Sequence, residues 1–284
     1  MGIRVYRFIC GDEAINQVYL CVINCAKSVS YLFFVIIEIH KGMEISEIRG
    51  KVMQSIKLFA IPFAGGSANF YFKWKHLLSP QVEVIPMELP GRGARINEKP
   101  FTCLEDAVED LIKKIDRECV SEPYALFGHS MGNLLAFELM QHIRKENLPL
   151  PVCAFLSGRR PPHIIEERKR YLMSDDDFVK ELVEMGGTPQ EVLENRELLK
   201  LFLPVLRADF QLVETYHQPE GRELLDVPFV ILSGIKDTIA NAEDMEGWKS
   251  YTRSSCQIVY FNGGHFFIND HTDDITQIVK NQLT

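Results

Sequence analysis

Short apolar runs that alternate with helical segments are the feature that most restricts the fold of this 284-residue chain. Six runs read as buried strands, at residues 57–62, 82–87, 124–127, 152–156, 227–232 and 256–261. Residues 104–119, 131–144 and about 273–283 have the apolar period of helices. Strands that are apolar on both faces predict a mostly parallel sheet with helices on both faces. In such a sheet, reactive groups are expected at the carboxyl ends of the strands.

One stretch, between residues 157 and 227, interrupts this alternation with helices alone. Ser174 is a predicted N-cap for a helix over 175–184, which Gly186 and Gly187 end. A second helix is predicted over 189–200, and a third from about 202–204 to 216. Helices inserted at the mouth of a sheet predict a lid over about residues 163–216. The alternative is a helical excursion that only packs on the core.

Residues 1–54 differ in character from the rest, and we expect residues 55–284 to form the main domain. The apolar run 31–37 is shorter than the about 20 residues that span a bilayer, and no secretory signal accompanies it. We expect an extra strand or a loosely ordered extension. A peripheral membrane contact is one alternative. Another is an over-extended gene start, in which residues 1–52 precede the native protein and Met43 or Met53 is a true start.

Composition and charge exclude several classes of protein. The hydrophobic content of 46% excludes a disordered chain. The net charge of −8 argues against a nucleic-acid-binding protein, because such proteins present a basic face to phosphates. The seven cysteines are scattered without CxxC or zinc-finger spacing. Reduced thiols in a cytoplasmic protein are therefore expected.

The pentapeptide Gly128-His129-Ser130-Met131-Gly132 stands between a predicted strand and a predicted helix. In that context the G-x-S-x-G pattern predicts a nucleophile elbow, a tight turn that raises a serine hydroxyl above the sheet. Glycine is needed at both ends because side chains there would collide with the neighbouring strand and helix. The helix that begins at Met131 points backbone N–H groups at the same place. Ser130 is therefore the candidate nucleophile.

A serine nucleophile needs a base, and in this arrangement an acid and then a histidine follow the serine along the chain. His265 follows the last predicted strand and is the candidate base. Asp237 follows the preceding strand and is the candidate acid, which would hold the histidine tautomer. Asp226 and Asp244 are worse placed, because one precedes that strand and the other lies further along. His129 should point away from the serine.

An oxyanion hole requires two N–H donors. The first candidate is the N–H of Met131, the residue after the nucleophile. The second should come from the loop Phe63-Ala64-Gly65-Gly66, which follows the first strand of the sheet. Ala64 is the preferred donor and Gly65 is the next choice. The alternative is that this loop is a plain glycine turn.

Six segments in one order carry a family resemblance: PFAGGS at 62–67, ELPGRG at 88–93, GHSMG at 128–132, SGR at 157–159, Asp237, and GGHFF at 263–267. Together they resemble the type II thioesterases that accompany nonribosomal peptide and polyketide synthetases. The resemblance spans about residues 55–284 and implies an α/β-hydrolase fold with a helical lid insertion. The catalytic and oxyanion positions of that family map onto Ser130, Asp237, His265, Met131 and Ala64. Residues 1–54 have no counterpart in the family pattern.

The resemblance implies an enzyme that removes wrong acyl groups from the phosphopantetheine arm of carrier proteins through an acyl-serine intermediate. Such editing regenerates misprimed synthetases in antibiotic biosynthesis. It requires no cofactor and no metal of the enzyme's own. The implied partners are acylated peptidyl or acyl carrier protein domains, with no nucleic acid and no stable membrane insertion. Four arginines at strand ends could meet the acidic surface of a carrier protein: Arg92, Arg95, Arg159 and Arg160.

Other functions use the same candidate residues. A free-standing esterase or lipase would apply the same triad to small esters. An acyltransferase would let an alcohol or amine replace water in a drier pocket. A non-catalytic binding module is the reading that the motifs favour least.

Overall fold

The computed structural model describes residues 4–9, 17–24, 31–38, 55–119, 122–188 and 190–284. The chain divides into two compact units, Met1–Gln54 and Ser55–Thr284. The first contains the strands β1 (Arg4–Ile9), β2 (Gln17–Asn24) and β3 (Tyr31–Glu38), paired antiparallel in the order β1-β2-β3. Where the sequence predicts one extra strand or a loosely ordered extension, the described residues of this unit form three strands. Met43 and Met53, the alternative starts, lie outside the described residues.

The second unit is built on a six-stranded sheet in which every neighbouring pair of described strands is parallel. Its strands are β4 (Ile56–Ile61), β5 (Val82–Pro86), β6 (Tyr124–His129), β7 (Cys153–Ser157), β8 (Phe229–Gly234) and β9 (Cys256–Phe261). The order β5-β4-β6-β7-β8-β9 reverses direction beside β4. The loops that follow β4 and β6 therefore leave a crevice at the carboxyl end of the sheet, where ligands of such sheets bind.

Helices cover both faces of this sheet. The described α-helices are α1 (Phe72–Leu78), α2 (Leu104–Cys119), α3 (Met131–Lys145), α4 (Asp175–Met185), α5 (Gln190–Glu194), α6 (Arg196–Glu214), α7 (Phe267–Asp270) and α8 (Thr272–Leu283). Along β4, Phe59 and Ile61 join one buried cluster with α2 and α3, whereas Leu58 and Ala60 join another with α1 and α8. The prediction of a parallel sheet with helices on both faces is confirmed; the inner strands are largely buried, whereas the edge strands β5 and β9 keep exposed residues.

The helical insertion differs from its predicted boundaries in one place. Ser174 caps α4, its hydroxyl accepting the Asp177 N–H, as predicted. However, the helices expected over 189–200 and 202–216 are instead the short α5 and the long α6. The break falls at Asn195, whose side chain accepts the N–H groups at the start of α6. Pro204 lies inside α6 on its exposed side, where water can satisfy the carbonyl that proline leaves without a donor.

None of the described helices combines the length and the apolar character that crossing a membrane requires.

Candidate active site

Ser130 occupies a strained turn between β6 and α3. Its backbone has φ 54° and ψ −111°, a left-handed φ that residues with side chains rarely adopt. A Cβ on Gly128 would overlap the carbonyl of Gly132, and one on Gly132 would overlap the carbonyl of Ile61. The collisions predicted for the two glycines are therefore present. The Ser130 N–H donates to the Ser157 carbonyl at 2.8 Å, which ties the turn to the neighbouring strand.

The structure brings the three candidate side chains into one hydrogen-bonded chain. His265 Nε2 lies 2.9 Å from Ser130 Oγ, and His265 Nδ1 lies 2.8 Å from Asp237 Oδ2. Because an ionised carboxylate only accepts, Nδ1 carries the proton and Nε2 is free to accept from the serine hydroxyl. The Lys236 N–H donates to the Gly263 carbonyl at 2.9 Å, which holds the acid and base loops together.

Asp237 is fixed from two sides. Its Oδ1 accepts the N–H groups of Ile239 and Ala240 at 2.8 and 2.9 Å, and its Oδ2 accepts from His265. The side chain has no exposed surface. The carboxylate therefore has a single orientation, with each oxygen assigned to its own donors. This is the arrangement that holds an imidazole in one tautomer.

The rival residues lie elsewhere. Asp226 faces Arg253 at 3.5 Å on the surface, and Asp244 lies in the 3-10 helix Ala242–Tyr251. His129 is fully buried, with its Nδ1 2.9 Å from Ser157 Oγ rather than near Ser130. Burial is the main cause that holds the pKa of His129 well below its usual value, and the neighbouring His265 lowers this pKa further. His129 is therefore a neutral packing residue beneath the turn.

The predicted oxyanion donors border the nucleophile. Ala64 and Met131 line the same cavity as Ser130. The N–H of Gly65, the alternative donor, instead donates to Asp209 Oδ2 at 2.8 Å. Ala64 is thus the better placed of the two loop donors. Sequence reasoning missed Asp209, because no motif marks a single aspartate within a helix of the insertion.

The cavity in front of Ser130 and His265 has a volume of about 70 Å³. Helices α4 and α6 of the predicted lid form part of its wall. Its apolar lining is Phe63, Leu182, Met185, Leu206, Phe210, Val213 and Phe266. A second cavity of about 410 Å³ shares Phe63 and Leu206 with the first and extends over the loop after β4. The charged residues Arg159, Glu166, Arg170 and Glu214 also line the first cavity, so the reactive atoms lie in a crevice with both apolar and charged walls.

The four arginines proposed to meet a carrier protein have different surroundings. Arg92 is buried and makes a bidentate pair with Asp209, so that expectation was wrong for Arg92. Arg95 pairs with Glu98 and Asp110, and Arg160 lies 3.5 Å from Glu166. Arg159 lines the cavity beside Ser130, and burial lowers its pKa to about 10, so it stays charged at neutral pH.

The described residues include no group of three or more His, Cys, Asp or Glu side chains that could hold a metal ion.

Comparison with known proteins gives concordant matches. A family model described as a thioesterase domain matches residues 56–283. The gramicidin S biosynthesis protein GrsT of Aneurinibacillus migulanus is 34% identical over 229 residues, which cover 80% of this chain and 89% of that protein.

Solved structures agree with the sequence matches. RedJ, a thioesterase of the prodiginine pathway of Streptomyces coelicolor, superposes with a TM-score of 0.75 at 33% identity. The superposition covers 80% of this chain and 85% of the RedJ chain. The type II thioesterase BorB from the borrelidin cluster superposes with a TM-score of 0.74 at 33% identity, covering 81% and 94%. The predicted α/β-hydrolase fold and family resemblance are confirmed: the chain belongs to the thioesterase domain family, with type II thioesterases as its relatives.

Proposed function

We propose that this thioesterase releases acyl groups from the phosphopantetheine arm of carrier proteins, and that Ser130, His265 and Asp237 perform the reaction. The observation that carries the proposal is the chain of hydrogen bonds from Ser130 Oγ through His265 to Asp237 at the wall of the cavity. The biosynthetic thioesterases to which the chain is similar support the carrier-protein substrate. We also propose a cytoplasmic location, which the scattered cysteines without CxxC spacing support.

The first half of the reaction forms an ester. His265 Nε2 takes the proton of Ser130 as Oγ attacks the thioester carbonyl. The N–H groups of Met131 and Ala64 hold the oxyanion that develops. The tetrahedral intermediate collapses, the carbon–sulfur bond breaks, and the arm leaves as a thiol with the proton from His265. Asp237 holds the imidazole and stabilises its charged form.

The second half releases the acid. Water gives a proton to His265 and attacks the acyl-Ser130 ester, and Ser130 recovers its proton when the carbon–oxygen bond breaks. The acyl group and the extended arm are assigned to the two adjoining cavities, which share Phe63, Ala64 and Leu206. No metal or cofactor has a part in these steps. This thioesterase would serve the synthetase by editing: it removes wrong acyl groups and so regenerates the carrier proteins.

The test of the acyl-serine intermediate is mass spectrometry of the protein after incubation with an acylated carrier protein. We expect an acyl adduct on the peptide that contains Ser130, and none in the Ser130→Ala variant. A higher kcat/KM for a small ester than for the acyl carrier would contradict editing. Formation of an acyl ester or amide, with no labelled acid in ¹⁸O-water, would indicate acyl transfer rather than hydrolysis. Full hydrolysis by Ser130→Ala would refute the serine mechanism.

A further inference from the structure

A buried ion pair joins the predicted lid to the loop that follows β5. Asp209, on α6, accepts from both Nη atoms of Arg92, at 2.6 and 2.7 Å. Both side chains are almost fully buried, with 3% and 6% of their surface exposed. A bidentate pair of this kind fixes two groups in direction as well as in distance. The pair therefore sets the position of α6 relative to the loop that contains Arg92.

The same two side chains also hold the loop after β4. Asp209 Oδ2 accepts the N–H of Gly65 at 2.8 Å, and Arg92 Nη1 donates to the carbonyl of Gly66 at 3.1 Å. Within the loop, the Gly66 N–H donates to the Phe63 carbonyl at 2.9 Å. Three hydrogen bonds thus restrain the turn on either side of Ala64.

Direct packing adds to these hydrogen bonds. Gly65 has φ +74°, and a Cβ at that position would overlap the Leu206 side chain of α6. The helix and the turn are therefore in contact without a gap. Leu206 and Ala64 also line the cavity that holds Ser130.

We infer that Asp209 and Arg92 are positioning residues that orient the Ala64 N–H as an oxyanion donor. The inference rests on the proposed function, in which Ala64 is that donor. Such a donor stabilises the transition state only if its loop is held before the reaction begins. Asp209 gives the Gly65 N–H a fixed acceptor, and Arg92 neutralises a carboxylate that would otherwise repel the oxyanion. The donor geometry then depends on α6 being seated on the turn.

The direct test is Asp209→Asn, which keeps the volume but sets an amide NH₂ against the guanidinium of Arg92. Loss of an oxyanion donor lowers kcat by about 10²–10³-fold, so a displaced donor should lower it by about 10–100-fold with KM nearly unchanged. Asp175→Asn is the matched control. Asp175, on α4, pairs at 2.6 Å with Arg207, which lies on α6 like Asp209 but does not hold the turn. This control should keep the wild-type kcat.

A double variant separates positioning from stability. Arg92→Met with Asp209→Leu replaces the buried pair by apolar groups, a change that proteins often tolerate without loss of stability. We expect a melting temperature near that of the wild type together with the low kcat of Asp209→Asn. If the single variant does not fold, the double variant carries the same test.

An inhibitor reports on the oxyanion hole itself. An alkyl trifluoromethyl ketone forms a hemiketal with the serine, and its oxyanion occupies the hole. Its inhibition constant should rise by about the factor by which kcat falls, which a purely structural role would not produce.

Two results would overturn the inference: a folded Asp209→Asn with kcat within about twofold of the wild type, or a double variant that regains kcat together with stability. Inactive Ser130→Ala beside fully active Asp209→Asn would reject this inference and leave the proposed function standing. Fully active Ser130→Ala would instead reject the proposed function.

Discussion

Replacing Asp237 by asparagine tests the proposed triad through the tautomer of His265. Asp237 Oδ1 faces two N–H donors, from Ile239 and Ala240, and Oδ2 faces His265 Nδ1. In Asp237→Asn the amide oxygen should occupy the Oδ1 place, because an NH₂ group there would meet two donors. The NH₂ group must then face the imidazole. His265 Nδ1 becomes an acceptor, and its proton moves to Nε2.

A protonated Nε2 cannot take the proton of Ser130, which lies 2.9 Å away. The equivalent change in a serine protease triad lowers kcat by about 10⁴-fold. At about 1.36 kcal/mol for each factor of ten, this loss corresponds to about 5.4 kcal/mol of transition-state stabilisation. KM should change little, because Asp237 is buried behind the imidazole and is not among the cavity-lining residues.

The assay is release of free thiol from an acyl thioester at neutral pH, with kcat and KM measured separately. Asp244→Asn is the matched control, since Asp244 lies in a 3-10 helix and does not contact His265. Nitrogen-15 NMR of the imidazole should show the proton on Nε2 in Asp237→Asn alone. A kcat of Asp237→Asn within about tenfold of the wild type would refute the argument.

Three further predictions, two on substitutions and one on a chemical modification, test packing and burial in the second unit. Gly128→Ala should lower the melting temperature sharply, because its Cβ would overlap the Gly132 carbonyl; an unchanged melting temperature would contradict the elbow geometry. Trp248→Ala should lower the free energy of unfolding in urea by about 3–5 kcal/mol, because Trp248 is completely buried, and a loss below about 1 kcal/mol would contradict this. Burial raises the pKa of the Cys153 thiol to about 12. At about pH 8 a thiol reagent should therefore modify the exposed Cys103 before Cys153, as peptide mapping would show. Equal rates for the two thiols in the folded protein would contradict that burial.

The sequence could predict most of the sheet because buried parallel strands are continuous apolar runs. The bounds of β9 and α2 are those predicted, and the other predicted strands differ from the observed ones by one or two residues at an end. Strand β8 begins at Phe229 rather than at Val227, since Pro228 has no N–H to give to the ladder. Apolar pattern locates a strand, whereas its ends depend on single hydrogen bonds.

The candidate site could be predicted because its chemistry imposes local constraints on the chain. A strained serine turn needs small residues around it, and loops at one sheet edge bring Asp237 and His265 to it from distant positions. Their proximity is visible in the structure, whereas their catalytic roles remain predictions. The sequence misplaces the helix break in the insertion because its apolar period continues across Asn195, and because a proline such as Pro204 is more usual in the first turn of a helix than inside one.

The ion pair of Arg92 and Asp209 could not be predicted from sequence motifs. The two residues lie 117 positions apart, and either alone is an ordinary charged residue in a loop or a helix. Arginine at position 92 suggested an exposed contact, because isolated arginines are seldom buried. Burial becomes favourable only when α6 seats its carboxylate against the guanidinium and the Gly65 N–H at once. Backbone strain leaves a signature in the neighbouring residues of the sequence, whereas a pairing across elements exists only after the helix has packed.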